Sequence, residues 1–310
     1  MSSPVLNIIA SAISDSIRAG TPLLLATLGE VYTEKSGVVN LGIEGLMSVG
    51  ALAGFAITLQ TGNYALGLIF AALSAALLSS IHAFVCVHLK SNQTISGLAL
   101  AMLGMGLSSL FGKPYVGLPL KNNIRPISVP ILENIPLIGP TLFRQDVVVY
   151  VSIMLAIALW FTLFHTRYGI SIRAVGENPA SADSLGISVS IVRYFCTVLG
   201  GSLAGMAGAY ISLGYTPGWN ENITVGRGWI AVALTVFTFW NPLRSLVGAY
   251  LFGGIEAMQF RLQPMGIPPS MLTMLPYIAT ILALMVGTRS RFRKRLGAPK
   301  ALGVPYEREE

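Results

Sequence analysis

Charge is scarce in this chain. Asp, Glu, Lys and Arg make up 11% of its 310 residues, less than half the roughly 25% of an ordinary soluble domain. Hydrophobic residues reach 53%, and no charged side chain occurs in residues 45–89, 91–112, 147–166, 194–220 or 262–288. Each of those runs accommodates at least one helix of about 20 residues, the length that crosses a bilayer. The composition excludes a soluble globular domain and indicates a polytopic membrane protein.

Chemistry-bearing residues are equally sparse. Cys86 and Cys196 lie in apolar stretches without CxxC spacing, which fits packing residues. His82, His88 and His165 are dispersed, with no H-E-x-x-H and no serine, histidine and acid set, so neither a metal site nor a hydrolytic centre is indicated. Gly112-Lys113 is followed by Pro114, so the chain carries no phosphate-binding loop, and no cofactor is implied. An enzyme is disfavoured, and energy for pumping must come from an ion gradient or another subunit. The N-terminus lacks a basic stretch followed by an apolar run and a small-residue cleavage site, so no removable signal peptide is expected.

What is present is a succession of apolar segments that predicts an all-α bundle of about nine transmembrane helices, some short or broken, in a single domain over residues 1–310. The predicted helices cover 17–31, preceded by an interfacial segment around Asp15 and Arg18, then 39–59, 64–89, 93–111, 147–165, 191–213, 228–239, 246–258 and 270–286. Residues 113–146, with Lys113, Lys121, Arg125, Glu133, Arg144 and repeated prolines, read as an irregular connection, because proline has no N–H to donate. The Asn241-Pro242 step separates two short pieces for the same reason. Small residues four apart, Gly50 with Gly54, Gly201 with Gly205 and Ala204 with Gly208, predict close approach of helix backbones.

The net charge of +7 is concentrated in Arg289, Arg291, Arg293, Lys294, Arg295 and Lys300. Placed directly after the last apolar segment, this tail (289–310) reads as cytoplasmic and near anionic lipid headgroups, not as a nucleic-acid footprint. With about nine passes the N-terminus is then outside and residues 113–146 are external. Residues 165–189, HTRYGISIRAVGENPASADSLGISV, are too polar for lipid, and the nearby Arg167, Arg173 and Arg193 place the loop 166–190 in the cytoplasm. Asn178 is the predicted N-cap and Pro179 the first residue of a short helix there. Such a helix is a handle for a soluble motor; the plain alternative is a connecting loop.

Charges at membrane depth are costly and mark a polar cavity or a partner. Glu44 and Glu256 are of this kind. Asn40 and Glu44, four residues apart, are predicted to share a helix face at or near a solute path, as is Glu256. Glu30 reads as a snorkelling or interfacial group. Trp160, Trp229 and Trp240 fit an aromatic belt at span ends. Trp219, beside Tyr215 in the external GYTPGWNEN stretch, is either a surface for stacking on a base or sugar or an interface anchor.

The stretch TPLLLATLGEVYTEKSGVVNLGIEGLMSVGALAG (21–54), together with RAVGENPASADSLGISV (173–189), resembles the inner-membrane permease family shared by simple-sugar, nucleoside and branched-chain amino-acid ABC importers. The order of motifs extends over nearly the whole chain, and the SGVVNLGIEG form is more similar to the nucleoside and simple-sugar branch. The resemblance implies a bacterial inner-membrane importer with a second permease subunit, identical or paralogous, separate or fused ATPase subunits, and an external binding protein or lipoprotein that delivers the solute. By the same resemblance Arg173, Gly176, Glu177, Asn178, Pro179, Ala182 and Gly186 belong to a coupling loop that fits a groove on the ATPase. Glu177, Asn178 and Pro179 match the family pattern, whereas Ser181, Asp183 and Ser184 depart from its more Ala-rich form. The alternatives are a branched-chain amino-acid permease and a gradient-driven transporter using Glu44 or Glu256 for protons.

Overall fold

Polar side-chain caps start six of the helices in the computed structural model, which describes residues 4–128, 130, 133, 135, 138–287 and 298–308. Two helices precede the first side-chain cap, α1 (Pro4–Lys35) and α2 (Ile43–Thr61). The Asn63 carboxamide oxygen then accepts from the N–H groups of Ala65 and Leu66 and opens α3 (Tyr64–Ala83), which continues as a π-helical turn, Phe84–His88. Asn92 opens α4 (Gln93–Gly112). After β1 (Ile127–Ser128), α5 (Ile138–Leu142) and β2 (Arg144–Gln145), Asp146 caps α6 (Val147–His165). Thr166 caps α7 (Arg167–Glu177), and Asn178 caps α8 (Pro179–Ser184) at 3.1 Å. Asn241 caps α11 (Pro242–Leu262). Each side-chain oxygen satisfies N–H groups that a first helical turn leaves unpaired. Pro179 and Pro242 stand at first helical positions, where no N–H is needed.

The remaining helices are α9 (Val189–Tyr210), prolonged by a π-helical turn to Tyr215, α10 (Arg227–Phe237), α12 (Pro269–Leu272) and α13 (Leu275–Gly287). Among the described residues six helices are long and apolar enough to cross a membrane: α1, α2, α3 with its π turn, α4, α6 and α9. Two shorter apolar helices, Arg227–Phe237 and Ser270–Leu282, and the more polar α11 bring the described helices close to the expected number of about nine. α9 lies at the centre, against α1, α2 and α3, and α1 also packs on α11. Glycine permits this. A Cβ on Gly50 would lie 2.2 Å from the Gly205 carbonyl oxygen, one on Gly208 would run into the Met47 carbonyl, and one on Gly29 would lie 2.6 Å from the carbonyl of Gly200. The four-residue spacing of small residues is thus realised as backbone-to-backbone contact.

Several boundaries differ from the sequence reading. α1 runs unbroken through Asp15 and Arg18, and α11 is a full 21-residue helix rather than a short piece. The segment 270–286 is divided between α12 and α13. α7 occupies residues that read as loop, because Gly169 and Gly176 dilute its helical signal. Both are required by packing: a Cβ on Gly169 would lie 2.2 Å from the carbonyls of Thr162 and Leu163. The connection 113–146 is largely irregular in its described part, with β1 and β2 paired antiparallel, Ile127 opposite Gln145. Of the basic tail, Arg289, Arg291, Arg293, Lys294 and Arg295 lie outside the described residues, and Lys300 is exposed.

Candidate functional site

With 11 residues, α10 is about 16 Å long, roughly half the ~30 Å hydrocarbon core. The chain that leads into it must therefore reach into the bundle, where backbone N–H groups have no water. Glu44, in the first turn of α2, supplies the acceptor. Its carboxylate takes hydrogen bonds from the Thr224 hydroxyl at 2.5 Å, Gly226 N–H at 2.8 Å and Gly228 N–H at 2.6 Å. Gly226 itself has no side chain with which to cap α10 and adopts φ +75°. A carboxylate from another helix thus occupies the positive end of α10. Gly228 is the complement of this contact, because a Cβ there would lie 2.5 Å from the Glu44 Cα.

One residue away, Arg227 forms a buried ion pair with Glu256 of α11. The guanidinium also donates to the carbonyls of Ile223 and Thr224 at 3.2 and 3.3 Å and lies 5.5 Å over the Tyr215 ring. Arg227, Glu256, Gln259, Thr273 and Tyr277 border a cleft of about 260 Å³ between α10, α11 and α13. Its combination of paired charges, amide, hydroxyl and aromatic groups suits a small polar solute and offers apolar walls from Ile230 and Phe260.

Two further acidic groups lie in the last turns of α1, against the turn that follows it. Glu30 is 1% exposed and accepts from the Asn40 N–H at 3.2 Å, while the Asn40 side chain accepts from Gly42 N–H at 2.9 Å. Glu34, also buried, accepts from the Trp240 indole N–H. That bond holds the tight turn between α10 and α11, in which Phe239 and Trp240 both have positive φ. Among the described residues no three His, Cys, Asp or Glu side chains are grouped to hold a metal ion.

At the same end of the bundle α7 and α8 form an angled pair. Gly176 and Ala182 are buried, whereas Glu177, Asn178, Ser181, Ser184 and Gly186 are exposed. Gly176 faces the end of α1, where a Cβ would run into the Lys35 carbonyl. Arg173 stacks 5.4 Å from the Phe164 ring and donates to the Gly169 carbonyl at 3.3 Å. Tyr168, Ile170 and Leu185 are apolar yet exposed, so the pair presents apolar and polar groups outward together.

The family described as the permease component of the branched-chain amino acid transport system matches residues 12–284. The chain belongs to this permease family. It is a transport subunit and a multi-pass membrane protein. Membership sets aside the gradient-driven alternative. The permease is 41% identical to a Haloferax volcanii protein named "Putative glucose ABC transporter permease protein", over 97% of this chain and 98% of that one. It is 36% identical to a guanosine ABC transporter permease protein of Bacillus subtilis and 33% identical to a nucleoside ABC transporter permease protein of Lactococcus lactis, each over 97% of this chain and 98% of the relative. No solved structure matches.

Several expectations about individual side chains are corrected. Asn40 and Glu44 do not share a helix face, because α2 of the permease begins at Ile43 and Asn40 belongs to the preceding turn. Glu30 does not snorkel; the α1–α2 turn folds over it. Trp219 offers no stacking surface to solvent, being 1% exposed and packed against Phe55 and Gly112. Trp240 leaves the aromatic belt for Glu34. Arg193, read as a marker of the loop's side, is 1% exposed and donates to the Ser36 carbonyl at 3.3 Å and the Val304 carbonyl at 3.0 Å. The sequence reading passed over Arg227, Glu34 and Asp146. The signal for Arg227 was a lone cation between glycines beside an apolar run, with one intramembrane acid left to pair.

Proposed function

We propose that this permease translocates a nucleoside or simple sugar inward across the bacterial inner membrane, driven by ATP hydrolysis on a separate ATPase subunit. The observation that supports it most is the pairing of near full-length similarity to glucose, guanosine and nucleoside permeases with an exposed, Asn178-capped helix pair and no nucleotide site in the sequence. In this reading α7 and α8 (the loop 166–190) and the tail after residue 289 are cytoplasmic, residues 113–146 and the N-terminus are external, and a second permease and an external binding protein complete the importer. The ATPase docks on Glu177, Asn178, Ser181 and Gly186 with the apolar Tyr168, Ile170 and Leu185. Arg173, Gly176, Pro179 and Ala182 shape the pair beneath them.

Glu256 and Arg227 border the solute route. Glu44 shapes that route by fixing residues 224–228, and Asn40, in the turn at its inner end, donates its N–H to Glu30 of α1. Paired charges, amides and tyrosines offer hydrogen-bond partners to a polyhydroxy solute.

The test is reconstitution of the permease with its ATPase and binding protein in vesicles, and measurement of labelled guanosine, hexose and leucine uptake. ATP-dependent uptake of the nucleoside or the hexose is expected. Uptake that persists without the ATPase, or that is confined to leucine, overturns the proposal.

A further inference from the structure

The segment 298–308 crosses the end of the bundle that carries α7 and α8, and it touches nearly every element there. Ala301 N–H donates to the Gly176 carbonyl in α7 at 2.9 Å, and Gly303 N–H donates to the Gly37 carbonyl in the α1–α2 turn at 3.1 Å. The buried Arg193 of α9 reaches both sides, holding Ser36 of that turn through Nε and Val304 of the segment through Nη1. Farther on, the Tyr306 hydroxyl donates to the Asp183 carboxylate of α8 at 3.0 Å, and Arg308 pairs with the same carboxylate at 3.1 Å. Lys90, after α3, pairs with Glu307 at 3.1 Å.

Apolar groups follow the same course. Leu302 packs on the cluster of Val31, Tyr32, Cys196 and Trp240, and Tyr306 on Val175, Ala182 and Val189. Gly303, at φ +76°, makes the turn that lets the segment change direction over Val39. The individual exposed ion pairs are weak. The backbone bonds, the buried guanidinium and the two apolar anchors are what join the pieces, and all of them are at one end.

A helix pair of 11 and 6 residues is too short to stay in place alone. If it swivels when pushed, the push is lost. We propose that residues 298–308 are a positioning strap that fixes the α7–α8 pair to the α1–α2 turn and to α9, so that displacement of the pair moves the membrane-spanning helices with it. The strap rests on the reading of α7–α8 as the ATPase-docking pair. Asp183, one of the residues that depart from the Ala-rich family pattern, is its anchor on α8, and Arg193 is its anchor on α9.

The test uses the full reconstituted importer and reads solute accumulated per ATP hydrolysed. One variant combines Tyr306→Ala with Arg308→Ala, which removes the apolar anchor on Val175, Ala182 and Val189 together with both contacts to Asp183. A second is Gly303→Val, since a β-branched residue is disfavoured at φ +76°. A third exchanges the charges, Asp183→Arg with Arg308→Asp. Docking is read independently by cross-linking Ala180→Cys, on the exposed side of α8, to the ATPase.

The strap predicts that the first two variants keep the cross-link and ATP hydrolysis while solute per ATP falls severalfold, and that the charge exchange recovers part of that loss. An unchanged ratio with a normal cross-link overturns the strap alone. Loss of the ATPase in proportion to loss of uptake also overturns it, since the segment would then only shape the docking surface. No cross-link in the parental complex overturns the docking reading, and the strap with it.

Discussion

The Glu44 carboxylate closes the N-terminus of α10 through the Gly228 N–H at 2.6 Å, across 184 residues of sequence. With Thr224 and Gly226 bound to the same group, one side chain satisfies the descent of the chain into the bundle. Replacement by alanine orphans the N–H groups of Gly226 and Gly228, at about 1–3 kcal/mol for each buried group, and leaves the Thr224 hydroxyl only Ser48, at 3.1 Å. Glu44→Ala should therefore lower the thermal unfolding midpoint of the purified permease sharply and reduce uptake. Glu44→Gln keeps one acceptor oxygen and should fall between. Parental stability and uptake in Glu44→Ala would show that the contact does not hold the segment.

The Arg227 and Glu256 pair calls for a double-mutant cycle. Removing one partner strands a buried charge, which costs about 3–5 kcal/mol, whereas apolar replacement of both is often near neutral. Arg227→Met and Glu256→Leu should each destabilise strongly, and together far less than their sum. Uptake should stay low in the double variant if the charges border the solute route. Stability measured by denaturation alongside uptake separates the two effects.

The Asn178 side chain caps α8 by accepting from the Ser181 N–H. Its loss should weaken the helix by about 1 kcal/mol, and Asn178→Ala should lower ATPase co-purification or uncouple hydrolysis from uptake. Asn178→Asp retains an acceptor and should restore most of either. Normal assembly and coupling in both Asn178→Ala and Glu177→Ala would remove the basis for docking at this pair.

Orientation has a direct readout, because Asn122 and Asn178 are both exposed while the two native cysteines are buried. Asn122→Cys should react with an impermeant thiol reagent added outside intact cells, and Asn178→Cys only after permeabilisation. The reverse pattern would invert the topology.

How much of this was legible in the sequence differs from one kind of residue to another. Charge-free length marked the long spans, and α6 falls on the expected residues 147–165 because the charge-free run ends there, at Asp146 on one side and just before Arg167 on the other. Asn178 and Pro179 were readable for a similarly local reason. Partners distant in sequence were not. Nothing adjacent to Glu44 tells that its donors lie around residue 226, and nothing adjacent to Asp146 tells that the Tyr210 hydroxyl binds it at 2.6 Å. Trp219 was misplaced because its neighbours Asn220, Glu221 and Asn222 are exposed, while the ring itself fills the space that Gly112 leaves empty.

The glycine contacts along α9 also have a mechanical meaning. Gly200, Gly205 and Gly208 meet backbone atoms of Gly29, Ala71 and Met47, and Gly200 and Gly201 also meet the short side chains of Thr33 and Ser79, so no long side chain interlocks at these crossings. Interlocked side chains act as gear teeth, which must change rotamer before a helix can move. A surface of backbone and short side chains acts as a bearing. Relative sliding of α1, α2 and α3 along the central helix would need few rotamer changes there, and shear between packed helices is one of the ways a protein changes shape.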